Sequence, residues 1–133
     1  MTENKKIGRE RPLSPHLQVY KPQITSVLSI THRATGCALY IGAFVFAYYL
    51  YAFAFLNESM FTWLVSFKLG KIFAYACLLG WSFAIYFHTC NGIRHLFWDI
   101  GKGYEIKTAY KTGYAVLIVS VSLTILTLIY LVI

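Results

Sequence analysis

Three stretches of the chain carry no Asp, Glu, Lys or Arg: residues 34–57, 72–93 and 112–133. Each is long enough to cross a hydrocarbon layer about 30 Å thick as a helix, which takes about 20 residues. Between them the pattern breaks sharply. "DIGKGYEIKTAYK" (Asp99–Lys111) is polar, with Gly101 and Gly103 as helix stoppers, and "RPLSPHLQVYKPQ" (Arg11–Gln23) carries three prolines that forbid a continuous helix. The pattern predicts an all-α integral membrane protein with three transmembrane helices, at about residues 29–57, 68–97 and 109–133. Residues 1–133 then form one domain, with 1–28 as an N-terminal segment. Tyr48, Tyr49, Tyr51 and Trp63 suit an aromatic belt at the far interface. The last span is β-branched and nearly featureless, with Ser120, Ser122, Thr124 and Thr127 expected to bond back to their own helix.

Composition agrees: of 133 residues 58% are apolar and only 13% charged, about half the charge of a soluble domain. The net charge of +7 could suggest nucleic acid, but its distribution marks topology instead. Ten of the twelve Lys and Arg precede the first span or lie between the second and third; Lys68 and Lys71 alone lie between the first and second. The positive-inside rule therefore places the N-terminus inside and the C-terminus outside. The polar first thirty residues are not a secretory signal, and Glu3 and Glu10 count against a transit peptide. A bacterial inner (cytoplasmic) membrane is expected, the mitochondrial inner membrane being the alternative. Cys37, Cys77 and Cys90 form no CxxC and read as small packing residues.

"HTCNGIRHLFWDIGKG" (His88–Gly103) raises the chemical question, because ionisable groups in or near a bilayer are costly and are kept there mainly for function. The predicted topology brings His88, Arg94, His95 and Asp99 to the same membrane face as His32 and Arg33. On a helix, His88 shares a face with Cys77, Gly80, Trp81 and Ala84 before it and with Gly92, His95 and Asp99 after it. Mostly small residues around a histidine fit the approach of a flat macrocycle, and fit equally a small-residue seam between helices. His88 and His95 stand on one helix and cannot bracket a ring, and His32 faces His88 only if the helices pair suitably. A single dominant ligand points to a partner chain for the other axial position. Arg33 fits either a snorkelling anchor or a fixed cation, with Ser29 one turn earlier as a donor. Asp99 is expected to pair with one of the arginines, since an unpaired carboxylate there is expensive. His16 suits a partner contact.

Three motifs, "RPLSPHLQVYKP" (Arg11–Pro22), "SITHRATG" (Ser29–Gly36) and "HTCNGIRHLFWDIGKG", carry a resemblance. In order, spacing and placement the chain resembles the cytochrome b556 membrane-anchor subunits of succinate dehydrogenase, respiratory complex II. The resemblance implies that His88 is an axial ligand of haem b iron, the other ligand coming from a second small hydrophobic anchor subunit that completes the helical bundle. It places His32, Arg33 and His95 near the haem propionates and Ser29 and Arg33 at the ubiquinone site, with Asp99 and Arg94 in support. It implies an iron–sulfur subunit, a flavoprotein subunit and lipid as partners, and no nucleic acid. The chain alone would not be an enzyme: electrons from succinate would reach quinone through the partner subunits, in the tricarboxylic acid cycle and respiratory electron transport. The alternatives are a haem-free anchor and the anchor of a quinol:fumarate reductase. A small carrier or channel subunit would need polar residues at mid-membrane, where this chain has few.

Overall fold

The computed structural model describes residues 21–55 and 60–133; the proline-rich segment up to Tyr20, with His16, therefore lies outside the described residues. Four helices follow in order: α1 (Ile24–Phe55), α2 (Met60–Ser66), α3 (Lys68–Asp99) and α4 (Ile106–Val132). Three of them, Ile24–Phe55, Lys68–Asp99 and Ile106–Leu131, are long and apolar enough to span a membrane. At 1.5 Å per residue, α1 and α3 each run for about 48 Å, longer than the hydrocarbon layer. Helix α1 starts at Ile24 rather than near residue 29, because a helix need not stop where the oil does. The short α2 was not foreseen; it lies against the start of α3 at the far end from the basic loop.

Helix α3 is the middle of the bundle, packing on α4 along its length and on α1 over a shorter stretch. Leu28, Phe87 and Val116, one from each long helix, meet in a small apolar core with Ile24, Phe83, Cys90 and Leu117 around it. Leu28 fits there because Gly113 has no side chain; a Cβ at 113 would stand 2.8 Å from Leu28 Cδ1. Polar bonds tie the same faces. Tyr86 Oη and Thr127 Oγ1 are 2.8 Å apart between α3 and α4. Ser120, Thr124 and Thr127 bond to carbonyls of their own helix, so their hydroxyls do not burden the α3 face.

The α3–α4 connection closes tightly. Lys102 N donates to Phe97 O and Gly101 N to Trp98 O, with Gly101 at φ +76°. This is the Schellman arrangement, which needs a left-handed residue and so favours glycine. The indole Nε1 of Trp98 then donates to Gly103 O at 3.2 Å and Tyr104 Oη to Trp98 O at 2.6 Å. The bundle end carrying this loop and the start of α1 is called the basic end below.

Candidate functional site

On α1, the sequence "THRATG" puts His32, Thr35 and Gly36 on one face at the i, i+3, i+4 spacing. That face meets α3 at His88. The imidazoles of His32 and His88 lie parallel, with centroids 3.9 Å apart and 6° between planes. His95, two turns further along α3, lies 5.3 Å from His32 at a tilt and meets Trp98 edge-on at 5.0 Å. Three of the histidines singled out in the sequence thus form one cluster. Because the rings of His32 and His88 touch face to face, these two residues do not bracket a macrocycle between them.

The bonding of His88 fixes a proton on Nδ1. Nδ1 lies 3.1 Å from the backbone carbonyl of His32 and 3.3 Å from Thr35 Oγ1. A carbonyl oxygen only accepts, so Nδ1 must carry the proton. Thr35 donates its own hydroxyl proton backwards, to the carbonyl of Thr31 or His32, each at 2.9 Å. Its oxygen is therefore free to accept from Nδ1. With Nδ1 so engaged, Nε2 makes no hydrogen bond among the described residues. A half-buried imidazole held by Nδ1–H with Nε2 open is the usual arrangement of a ligating histidine.

Glycine 36 makes this approach possible: a Cβ there would stand 3.1 Å from Cε1 of His88. The small-residue stripe on α3 divides into two parts. Ala84 is buried, and Trp81 packs over Gly42 of α1, so from Trp81 onwards much of the stripe is a helix seam. Cys77 and Gly80 are exposed, and nothing comes within 4 Å of a Cβ at Gly80. Cys37 is exposed as well, whereas Cys90 joins the apolar core. Thr35, Gly36 and Gly42 went unnoticed in the sequence; the spacing of small residues from His32 was the available signal.

Arg94 is 5% exposed and its guanidinium is occupied by the bundle. Nε donates to Thr112 Oγ1 at 3.1 Å, Nη2 to Ala109 O at 3.0 Å and Nη1 to Asn91 Oδ1 at 3.4 Å, while the group lies 4.0 Å over the Trp98 ring. The expected pairing of Asp99 with an arginine is not found: Asp99 is exposed and makes no ion pair among the described residues. Five residues from Arg94 on the same helix, it points about 140° away round the axis, and Arg33 is exposed on α1. Ser29 is half-buried one turn before Arg33. A separate cavity of about 340 Å³ at the basic end is lined by Thr25, Trp98, Tyr104, Ala109 and Tyr110 among others, but not by Ser29 or Arg33.

Residues 8–127 match the family described as the succinate dehydrogenase/fumarate reductase transmembrane subunit. The chain belongs to this family. It is 46% identical to the succinate dehydrogenase cytochrome b556 subunit of Rickettsia bellii over 95% of this chain and 98% of the relative. It is 45% identical to the Rickettsia prowazekii subunit of the same name, over 90% and 92%. The human mitochondrial succinate dehydrogenase cytochrome b560 subunit is 39% identical over 89% of this chain and 70% of that one. As a family member with three apolar helices and bacterial relatives, the chain is a multi-pass inner-membrane subunit rather than a catalytic flavoprotein.

Proposed function

We propose that this chain is the cytochrome b anchor of a succinate dehydrogenase, that it binds haem b through His88 Nε2, and that Ser29 and Arg33 form part of its ubiquinone site. The carrying observation is the state of His88: Nδ1–H bound to the His32 carbonyl and Thr35, Nε2 unengaged. The cytochrome names of the relatives point the same way. The residues fit the group, since an imidazole held through Nδ1 leaves Nε2 open. A second anchor subunit would supply a further ligand, since His32 stacks on His88 instead of opposing it. The remaining partners are the iron–sulfur and flavoprotein subunits, with the N-terminus on their side of the membrane.

Bound haem supplies a one-electron site whose potential the protein sets. This chain's residues position and polarise. Arg33, exposed on α1, offers a fixed positive charge to a quinone oxygen or a propionate, and Ser29 a hydroxyl one turn away. His32 backs the His88 ring by stacking on its face, and His95 stands beside His32 in turn. The reading predicts that Ser29→Ala and Arg33→Leu lower succinate-driven quinone reduction at least tenfold while a soluble dye is still reduced and haem content stays. Loss of dye reduction as well, or unchanged quinone reduction in both variants, would contradict it. The family includes fumarate reductase subunits, so the same site can serve the reverse reaction with another quinone.

A further inference from the structure

We propose that Thr35 is a positioning residue for His88, its hydroxyl taking a share of the Nδ1 proton and so setting how strongly Nε2 donates to an iron. This rests on the ligation proposed above and goes beyond it, because the residue lies on a different helix and touches no cofactor.

Thr35 is 7% exposed, so no water competes freely for its oxygen. Its hydroxyl proton is directed backwards along α1, to a carbonyl three or four residues earlier. That bond fixes the rotamer and turns the lone pairs outward, towards α3. The His88 Nδ1–H then meets two acceptors from one turn of helix, the His32 carbonyl at 3.1 Å and Thr35 Oγ1 at 3.3 Å. Gly36, the next residue, keeps the distance short: the space a Cβ would need is already in contact with Cε1 of the imidazole. The ring is thus held on one edge by two acceptors, on one face by the stacked His32 ring and beside Cε1 by bare backbone. Its outer nitrogen alone is left to act.

Acceptors on the far N–H give an imidazole partial imidazolate character and raise its basicity as a ligand. A more basic ligand favours ferric over ferrous iron and lowers the potential. The carbonyl of His32 cannot be removed by mutation, but the hydroxyl can. Thr35→Val keeps size and branching and deletes the acceptor; Thr35→Ser keeps the acceptor and deletes a methyl group.

The test is a redox titration of the haem band in the detergent-purified chain with its accompanying subunits, wild type against both variants, with haem content measured in parallel. The expected result is a midpoint potential raised in Thr35→Val and near wild type in Thr35→Ser. Loss of haem from Thr35→Val with retention in Thr35→Ser also supports the proposal, since the variant that keeps the threonine shape fails and the one that keeps the hydroxyl does not. An unchanged or lowered midpoint in haem-replete Thr35→Val overturns it, as does an equal defect in both variants, which would make the effect one of shape. His88→Ala separates this from failure of the underlying assignment. If that variant keeps an unchanged haem band, His88 is not the ligand and both fall. If it loses the band while Thr35→Val titrates like wild type, only the role of Thr35 falls.

Discussion

Arg94 sits inside the bundle with a charge that would be expensive in lipid, and the neighbouring residues explain how it is tolerated. Two of its donors reach α4, at Thr112 and the Ala109 carbonyl, a third reaches Asn91, and the indole of Trp98 lies against its face. This matches the planar fork of arginine and not the point charge of lysine. Arg94→Leu should therefore lower the stability of the assembled protein by about 1–3 kcal/mol, from interhelical bonds worth about 0.6–2 kcal/mol each in a membrane. Arg94→Lys should recover only part of it, as thermal inactivation in detergent would reveal; a variant as stable as wild type would make the network ornamental. At this scale the sequence was legible in kind but not in partner. His32, His88 and His95 could be brought to one membrane face by topology alone. The pairing of Asp99 could not be read correctly, because its angle about the α3 axis and the neutral partners of Arg94 on α4 decide it.

The helices pair where side chains are missing. Gly42 lies under the Trp81 indole, so closely that any Cβ there collides with the ring, whereas Gly80 faces open space. Both are glycines in apolar helices, and their substitution should differ in sign. Gly42→Ala should drive α1 from α3 and cost about 1–3 kcal/mol, as overpacking does. Gly80→Ala should be neutral or slightly stabilising, by up to about 1 kcal/mol of helix propensity, unless a partner subunit packs there. Yield and melting temperature of the purified protein, measured side by side, check the contrast; equal losses would mean that Gly80 is also in a contact. The three long helices were readable because uncharged runs of over twenty residues leave little choice in a membrane. The pairing of α1 with α3 through Thr35, Gly36 and Gly42 was not, since a small residue in one helix says nothing until its neighbour is known. The α2 turn escaped for a related reason: seven residues are too few for a periodic pattern.

Across the molecule, the interior is no more apolar than the surface. Thr35, Asn91, Arg94, Ser120 and Thr124 are buried beside Leu28, Phe87 and Val116, while Phe53, Leu69, Ile118 and Tyr130 are more than 60% exposed. In water this would be inverted. In lipid, burial of apolar surface between helices gains little, and close packing with hydrogen bonds holds the bundle. The surface is apolar because its three long helices are built to face lipid. Lys21, Lys102, Lys107 and Lys111 cluster at the end where α1 starts and α3 gives way to α4, and the positive-inside rule predicts that this end faces the cytoplasm. With the native cysteines removed, a cysteine at position 102 should react with a membrane-impermeant thiol reagent only from the cytoplasmic side, and one at 133 only from the outside. The reverse pattern would invert the topology and with it the side of the proposed quinone site. The central claim concerns His88 and is tested most directly by the reduced-minus-oxidised spectrum of His88→Gly in the assembled complex, with and without added imidazole. The account predicts that the b-type α-band of wild type is lost or shifted in the variant and returns when imidazole fills the vacated site. An α-band unchanged by the substitution, with imidazole making no difference, would contradict it.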